Sequence, residues 1–118
     1  MARHHQTGKK GEELAEEFLK QKGHHILYKN WRYSHYEIDL ITDKDGMLHI
    51  IEVKARTTAT QEHPEESVTK KKFRFLLLAA DEFLYQHPQY RHVQFDILAI
   101  TLHKNRDPDI FLIEDVYL

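Results

Sequence analysis

Two apolar strand segments with acids at alternating positions, joined by an Asp-Gly turn, constrain this chain more than any other feature. They form the stretch EIDLITDKDGMLHIIEVK, residues 37–54. Asp45-Gly46 is a strong hairpin signal, because a tight hairpin turn needs positive φ at both central positions and these residue types tolerate it. Side chains alternate along a strand, so Glu37 and Asp39 share one face while Ile38 and Leu40 share the other. Glu52 and Lys54 likewise oppose Ile51 and Val53. Whether the two charged faces coincide depends on register. A turn of Asp43 to Gly46 pairs Thr42 with Met47, Asp39 with Ile50, Glu37 with Glu52 and His35 with Lys54. A shift of one residue would throw Glu52 and Lys54 onto the opposite face. The apolar pattern favours the converging register, because that register gathers Ile38, Leu40, Ile51 and Val53 as one core face.

Opposed carboxylates within about 5 Å of each other are unfavourable unless a cation sits between them. The chain has no cysteine, so its hard oxygen donors point to Mg²⁺ or Mn²⁺, ions that take one or two carboxylates plus water and phosphate. Such an ion can activate water and neutralise charge in an in-line displacement. Lys54, on the same face, can hold the attacking water or stabilise the developing charge. This division of labour suits phosphodiester hydrolysis. The plainer alternative is an antiparallel hairpin whose charged face meets water. Spacing alone leaves both open.

The remaining elements can be read in order. Thr7 can cap a helix over about residues 8–22, with Leu14, Ala15, Phe18 and Leu19 as its apolar stripe and Gly23 as its stop. Glu12 lies at the edge of that stripe, beside Leu19, and is the helix acid best placed to look inward. Strands are expected at 24–31, 36–42, 47–54, 93–100 and 109–118. A long amphipathic helix is expected to begin near Pro64 and to end before Pro88. Carrying the chain between the third and fourth strands, it should make them parallel and right-handed. The expected fold is one α/β domain over residues 1–118, a mixed central sheet flanked by helices with an αβββαβ core.

A net charge of −2 argues against a purely electrostatic nucleic-acid binder, yet basic residues cluster at Lys9 and Lys10 and at Lys70, Lys71, Lys72 and Arg74. A solvated helix face explains such a run equally well from charge alone. No apolar leader opens the chain and no apolar run approaches the roughly 20 residues a bilayer demands. With the absence of cysteine, this leads us to expect a cytoplasmic protein. Of the ten histidines, the pairs at 4–5 and 24–25 lack helical metal spacing and most read as surface residues, with His35 the exception worth following because of its place opposite Lys54. Trp31, Tyr33 and Tyr36 either pack the sheet or stack on unpaired bases, and for Trp31 packing is preferred. Asp96, inside the apolar FDILAI, reads as a structural hydrogen-bonding acid or as a support to the site.

Asp39 followed after a turn by Glu52-Val53-Lys54 resembles the PD-(D/E)xK nuclease motif, with Ile38-Asp39 in the place of its proline-aspartate half. More closely, GKKGEELAEEFLKQKGHHILYKNWR, EIDLI, IEVKAR and FDILAI resemble the YraN-like family of small bacterial proteins. That family is similar to the archaeal Holliday-junction resolvases and has the restriction-endonuclease-like fold. The resemblance covers nearly the whole chain. It implies Asp39 and Glu52 as metal-binding carboxylates, with the Val53 carbonyl as a further ligand and Lys54 as the catalytic lysine. Glu12 would complete the site directly or through water, and Glu37 would support the metal or Lys54. Arg56 would meet phosphate. The implied function is a Mg²⁺- or Mn²⁺-dependent endonuclease acting on branched or structured DNA, with Lys9, Lys10, Lys70, Lys71, Lys72 and Arg74 on the phosphates. The alternative is a nucleic-acid-binding protein of the same fold without useful turnover. Resolvase similarity further suggests a homodimer.

Overall fold

The first helix, α1 (Ala2–Gln21), stops in a left-handed turn at Gly23, whose φ is 92°. There the Gly23 N–H donates to Lys20 O and the His24 N–H to Leu19 O, a Schellman closure of the helix end. The computed structural model describes residues 2–57 and 69–116, with backbone alone over 2–7. Thr7 lies inside α1 rather than at its start, since nothing in residues 2–6 breaks the helix. Five strands follow: β1 (His25–Tyr33), β2 (Tyr36–Lys44), β3 (Met47–Thr57), β4 (Val93–Leu102) and β5 (Asp109–Ile113). The second helix, α2 (Lys70–Gln86), lies between β3 and β4. Its N-cap is Thr69, whose Oγ1 accepts the Lys72 N–H at 3.1 Å. The helix therefore starts later than the expected residue 64, and residues 58–68, which include Pro64, lie outside the described part. β5 is also shorter than expected, ending at Ile113.

The strands form one sheet in the order β1-β2-β3-β4-β5, antiparallel except for the parallel pair β3 and β4. The parallel pairing expected of the α2 crossover is thus met, and the fold is mixed α/β. Each helix covers its own face of the sheet. Ile38, Ile41, Leu48, Ile50 and Ile97 pack with Phe73, Leu76, Ala79, Ala80 and Phe83 of α2. Leu40, Ile51, Leu98 and Ile100 pack with Ala15 and Leu19 of α1. Ile38 therefore does not share a core face with Leu40 and Ile51 as expected. Helices on both sides leave no wet face to enforce simple alternation, and Asn30, on β1 between the pairs Trp31↔Ile38 and Lys29↔Leu40, has a left-handed φ of 51°.

The hairpin register differs from the four-residue turn. Asp45 and Gly46 alone make the turn, with φ of 54° and 84°, and Asp43 Oδ1 accepts the Gly46 N–H at 2.9 Å. Lys44 pairs with Met47, Thr42 with His49 and Leu40 with Ile51. The slip is two residues, an even number, so Glu52 and Lys54 keep the face that the longer turn assigned them. His35 loses its place opposite Lys54. It sits in the turn between β1 and β2, beside Tyr36.

Candidate metal and nucleic-acid site

The β2–β3 ladder ends at Leu40↔Ile51 although both strands continue. At that fork a carboxylate replaces a strand. Asp39 Oδ2 accepts the Val53 N–H at 2.8 Å, so the donor that β2 backbone would have met is met by a side chain. Glu52 stands next to it on β3. Burial, then the hydrogen bond and charge of Glu52, push the Asp39 carboxyl up to about 8, against the opposing pull of the Val53 N–H and Lys72.

Glu52 is met from α2. Lys72 Nζ lies 3.1 Å from Glu52 Oε2, but off hydrogen-bond direction, so this buried oxygen has an ion-pair neighbour and no hydrogen-bond donor. Glu37, Asp39, Glu52 and Lys72 line one open cleft of ≈270 Å³, together with His35, Tyr36, Phe75 and Leu76. Glu37 is tied at its rim to Arg32 by a 2.9 Å bridge.

Glu12 reaches the fork from the other helix layer. It is half-buried, and its pKa is raised first by burial and then by the charges of Asp39, Glu37 and Glu16, with Lys29 opposing. Gly11 permits this approach: a Cβ there would stand 2.5 Å from the Cβ of Ala55 on β3. Lys54 lies two residues beyond Glu52 on the same face of β3, half-buried, and is not part of the cleft wall.

Of the residues singled out from sequence, the structure brings Glu37, Asp39 and Glu52 into one cleft, with Glu12 in electrostatic reach. Lys9, Lys10, Lys70, Lys71 and Arg74 are exposed, and Arg56 is half-buried on β3. Lys72, read from sequence as a phosphate contact, instead pairs with Glu52. Sequence reasoning also passed over Phe75 and Arg32. Lys72, Phe75 and Leu76 stand three and four residues apart on one helix face, a spacing that is informative only once that face is known to lie over the cleft. Among the described residues, no group of three or more His, Cys, Asp or Glu is arranged to hold a metal ion.

Asp96 has a different task. Its Oδ2 pairs with His49 Nδ1 at 2.7 Å, while its Oδ1 accepts the Gln94 side-chain amide at 2.9 Å and the Asp115 N–H at 3.0 Å. It is the structural hydrogen-bonding acid of the two alternatives. His24 stacks edge-on to His49 with ring centroids 4.8 Å apart and pairs with Thr42 Oγ1 at 2.7 Å. Trp31 packs edge-on against Phe83 in the α2 layer. No helix within the described residues is long and apolar enough to cross a membrane.

Residues 11–100 match the Uncharacterised protein family UPF0102. The chain belongs to this family. It is the family to which the YraN-like motifs pointed. A UPF0102 protein of Chloroherpeton thalassium is 42% identical over 118 residues, covering 93% of this chain and 92% of its own length. One from Flavobacterium psychrophilum is 38% identical over 100 residues, 85% of this chain and 84% of its own. A third, from Chlorobium phaeobacteroides, is 35% identical over 109 residues, 92% and 86% respectively. The family match opens at Gly11, where α1 meets Ala55, and closes at Ile100 in β4. It therefore contains the cleft and leaves out β5.

Proposed function

We propose that this UPF0102 member is a metal-dependent endonuclease of the restriction-endonuclease-like fold, hydrolysing phosphodiester bonds of branched or structured DNA in the cytoplasm. The observation that carries the reading is the fork itself: Asp39 and Glu52 held side by side where the ladder opens, with Glu52 Oε2 buried and without a donor. That donor set suits a hard divalent cation, Mg²⁺ or Mn²⁺. Asp39 and Glu52 would hold it, with the Val53 carbonyl and Glu12, directly or through water, as further oxygen ligands. A bound ion supplies Lewis acidity and a water of lowered pKa. Lys54 positions the attacking water, and Glu37 steadies the site from the cleft rim. Lys9, Lys10, Arg56, Lys70, Lys71 and Arg74 hold phosphates, and Lys72 would be free to join them with a cation bound at Glu52. Two copies would cut two strands symmetrically, as a homodimer.

One observation favours a second reading. The Lys72 ammonium already neutralises Glu52, which suits a nucleic-acid-binding protein without turnover. The test is the purified chain with Mg²⁺ or Mn²⁺ on duplex, single-stranded and four-way-junction DNA. Cleavage that falls on the order of 10³-fold in Asp39→Ala supports the endonuclease. Binding without cleavage, unchanged by that substitution, transfers the conclusion to the second reading. A Mn²⁺ titration showing no heat, in wild type as in Glu52→Ala, removes the metal from both.

A further inference from the structure

Part of the cleft lining is aromatic: the core accounts for Tyr36, which packs on its edge, but not for His35 or Phe75, and the metal reading uses none of the three. Tyr36 stacks on Phe75 with ring centroids 4.6 Å apart and planes 26° apart. His35 joins this pair at an angle, tilted 53° to Tyr36 at 4.3 Å and edge-on to Phe75 at 6.4 Å. All three rings line the cleft with Glu37, Asp39 and Glu52. Phe75 is half-buried and belongs to neither apolar cluster; it meets these two rings and Lys71, whose Nζ lies 5.9 Å from the ring centre. His35 is exposed, so its ring is open to a further ring at the cleft.

We propose that His35, Tyr36 and Phe75 form a stacking shelf for an unpaired nucleobase, so that the substrate carries an unstacked nucleotide beside the phosphate at the acids. The position of that phosphate rests on the endonuclease reading; the shelf itself does not. Every base has a π-face, so such a shelf binds without sequence preference. The charges around it are arranged for a nucleotide rather than for an apolar peptide. Lys71 lies over Phe75, and Lys70 and Arg74 are exposed on the same helix, a supply of positive charge for the phosphates that flank the base. Continuous duplex keeps its bases inside its own stack and presents only their edges. Forks, flaps and bubbles offer the missing ring.

The experiment uses the full chain in Ca²⁺ with a DNA fork carrying 2-aminopurine at its first unpaired position, read by fluorescence quenching and by anisotropy. Binding should quench the probe, and His35→Ala and Phe75→Ala should weaken fork binding by roughly 5- to 150-fold, the range measured for lost base stacking. Phe75→Tyr, which keeps the ring, should bind as wild type, and the weak binding of fully paired duplex should not change in any variant. Equal wild-type affinity for fork and duplex, or a folded Phe75→Ala protein that still quenches, would overturn the shelf. Quenching without cleavage in any divalent metal sustains the shelf and removes the endonuclease. Metal-dependent cleavage of duplex by a protein indifferent to Phe75→Ala does the reverse.

Discussion

Asp39 and Asp96 are both sequestered carboxyl groups on neighbouring parts of one sheet, yet they are set in opposite directions. Asp96 receives a histidine, a side-chain amide and a backbone N–H, and these hold its pKa below the usual value although burial pushes it up. Asp39 receives one N–H and faces a second carboxyl, and burial raises it to about 8. Burial pushes both carboxyl groups in the same direction, upward. The partners decide whether the charge is kept or refused. A carboxylate with partners on both oxygens serves the fold, whereas one left beside another acid is in want of a cation.

The largest separation between the two should appear in stability. Asp96→Ala leaves His49 without its partner in the interior and should cost about 3–5 kcal/mol, read as a lower denaturation midpoint at unchanged slope. Asp39→Asn keeps an acceptor for the Val53 N–H and removes the refused charge, so it should raise the midpoint of metal-free protein at pH 8. A midpoint that falls equally in both variants would end the contrast.

The same two acids predict opposite pH trends. The folded pKa of Asp39 lies above its unfolded value, so its contribution is fully present below about pH 4 and is lost as pH rises towards about 8. Asp96, with a depressed folded pKa, contributes above about pH 4 and loses that contribution as pH falls. His24 works in the acid direction with Asp96. Its pKa is lowered by burial and then by His49, so its contribution is present above about pH 6.5 and is lost as pH falls. Metal-free wild type should therefore lose stability between pH 6 and 8 and Asp39→Asn should lose less, in chemical denaturation across that range.

Gly11→Ala sharpens the comparison from the α1 side. Its Cβ would press on Ala55, so α1 must shift from β3, at about 1–3 kcal/mol less whatever helix propensity returns. Gly11→Ala with Ala55→Gly should recover most of it. The smallest effect belongs to Lys72→Gln: the bridge to Glu52 is half-exposed on the lysine side and should be worth about 0.2–1 kcal/mol at most. Its loss should tighten Mn²⁺ binding by calorimetry, because the competing ammonium is gone.

Much of this was legible beforehand. Alternation across EIDLI and IEVK put the acids on common faces, and Asp45-Gly46 marked the turn. The register slip of two did not disturb the result, because only odd slips change a side chain's face. Lys72 was legible as a charge but not as a neighbour of Glu52, since that contact depends on where Thr69 starts a helix and on which way the helix crosses the sheet. The two sides of the His49–Asp96 pair stand 47 residues apart and meet through the parallel pairing of β3 with β4, about which a period-2 pattern says nothing.

The sequence by itself determined the element order, the α/β class and the set of acids, because propensity, turn chemistry and periodicity are local. Only the tertiary structure decided that the ladder stops at Leu40↔Ile51, that Asp39 fills the opening, and that one buried acid is satisfied while the other is not. Hydrogen-bond partners and burial come from elements distant in the chain, and they set what a carboxyl group does.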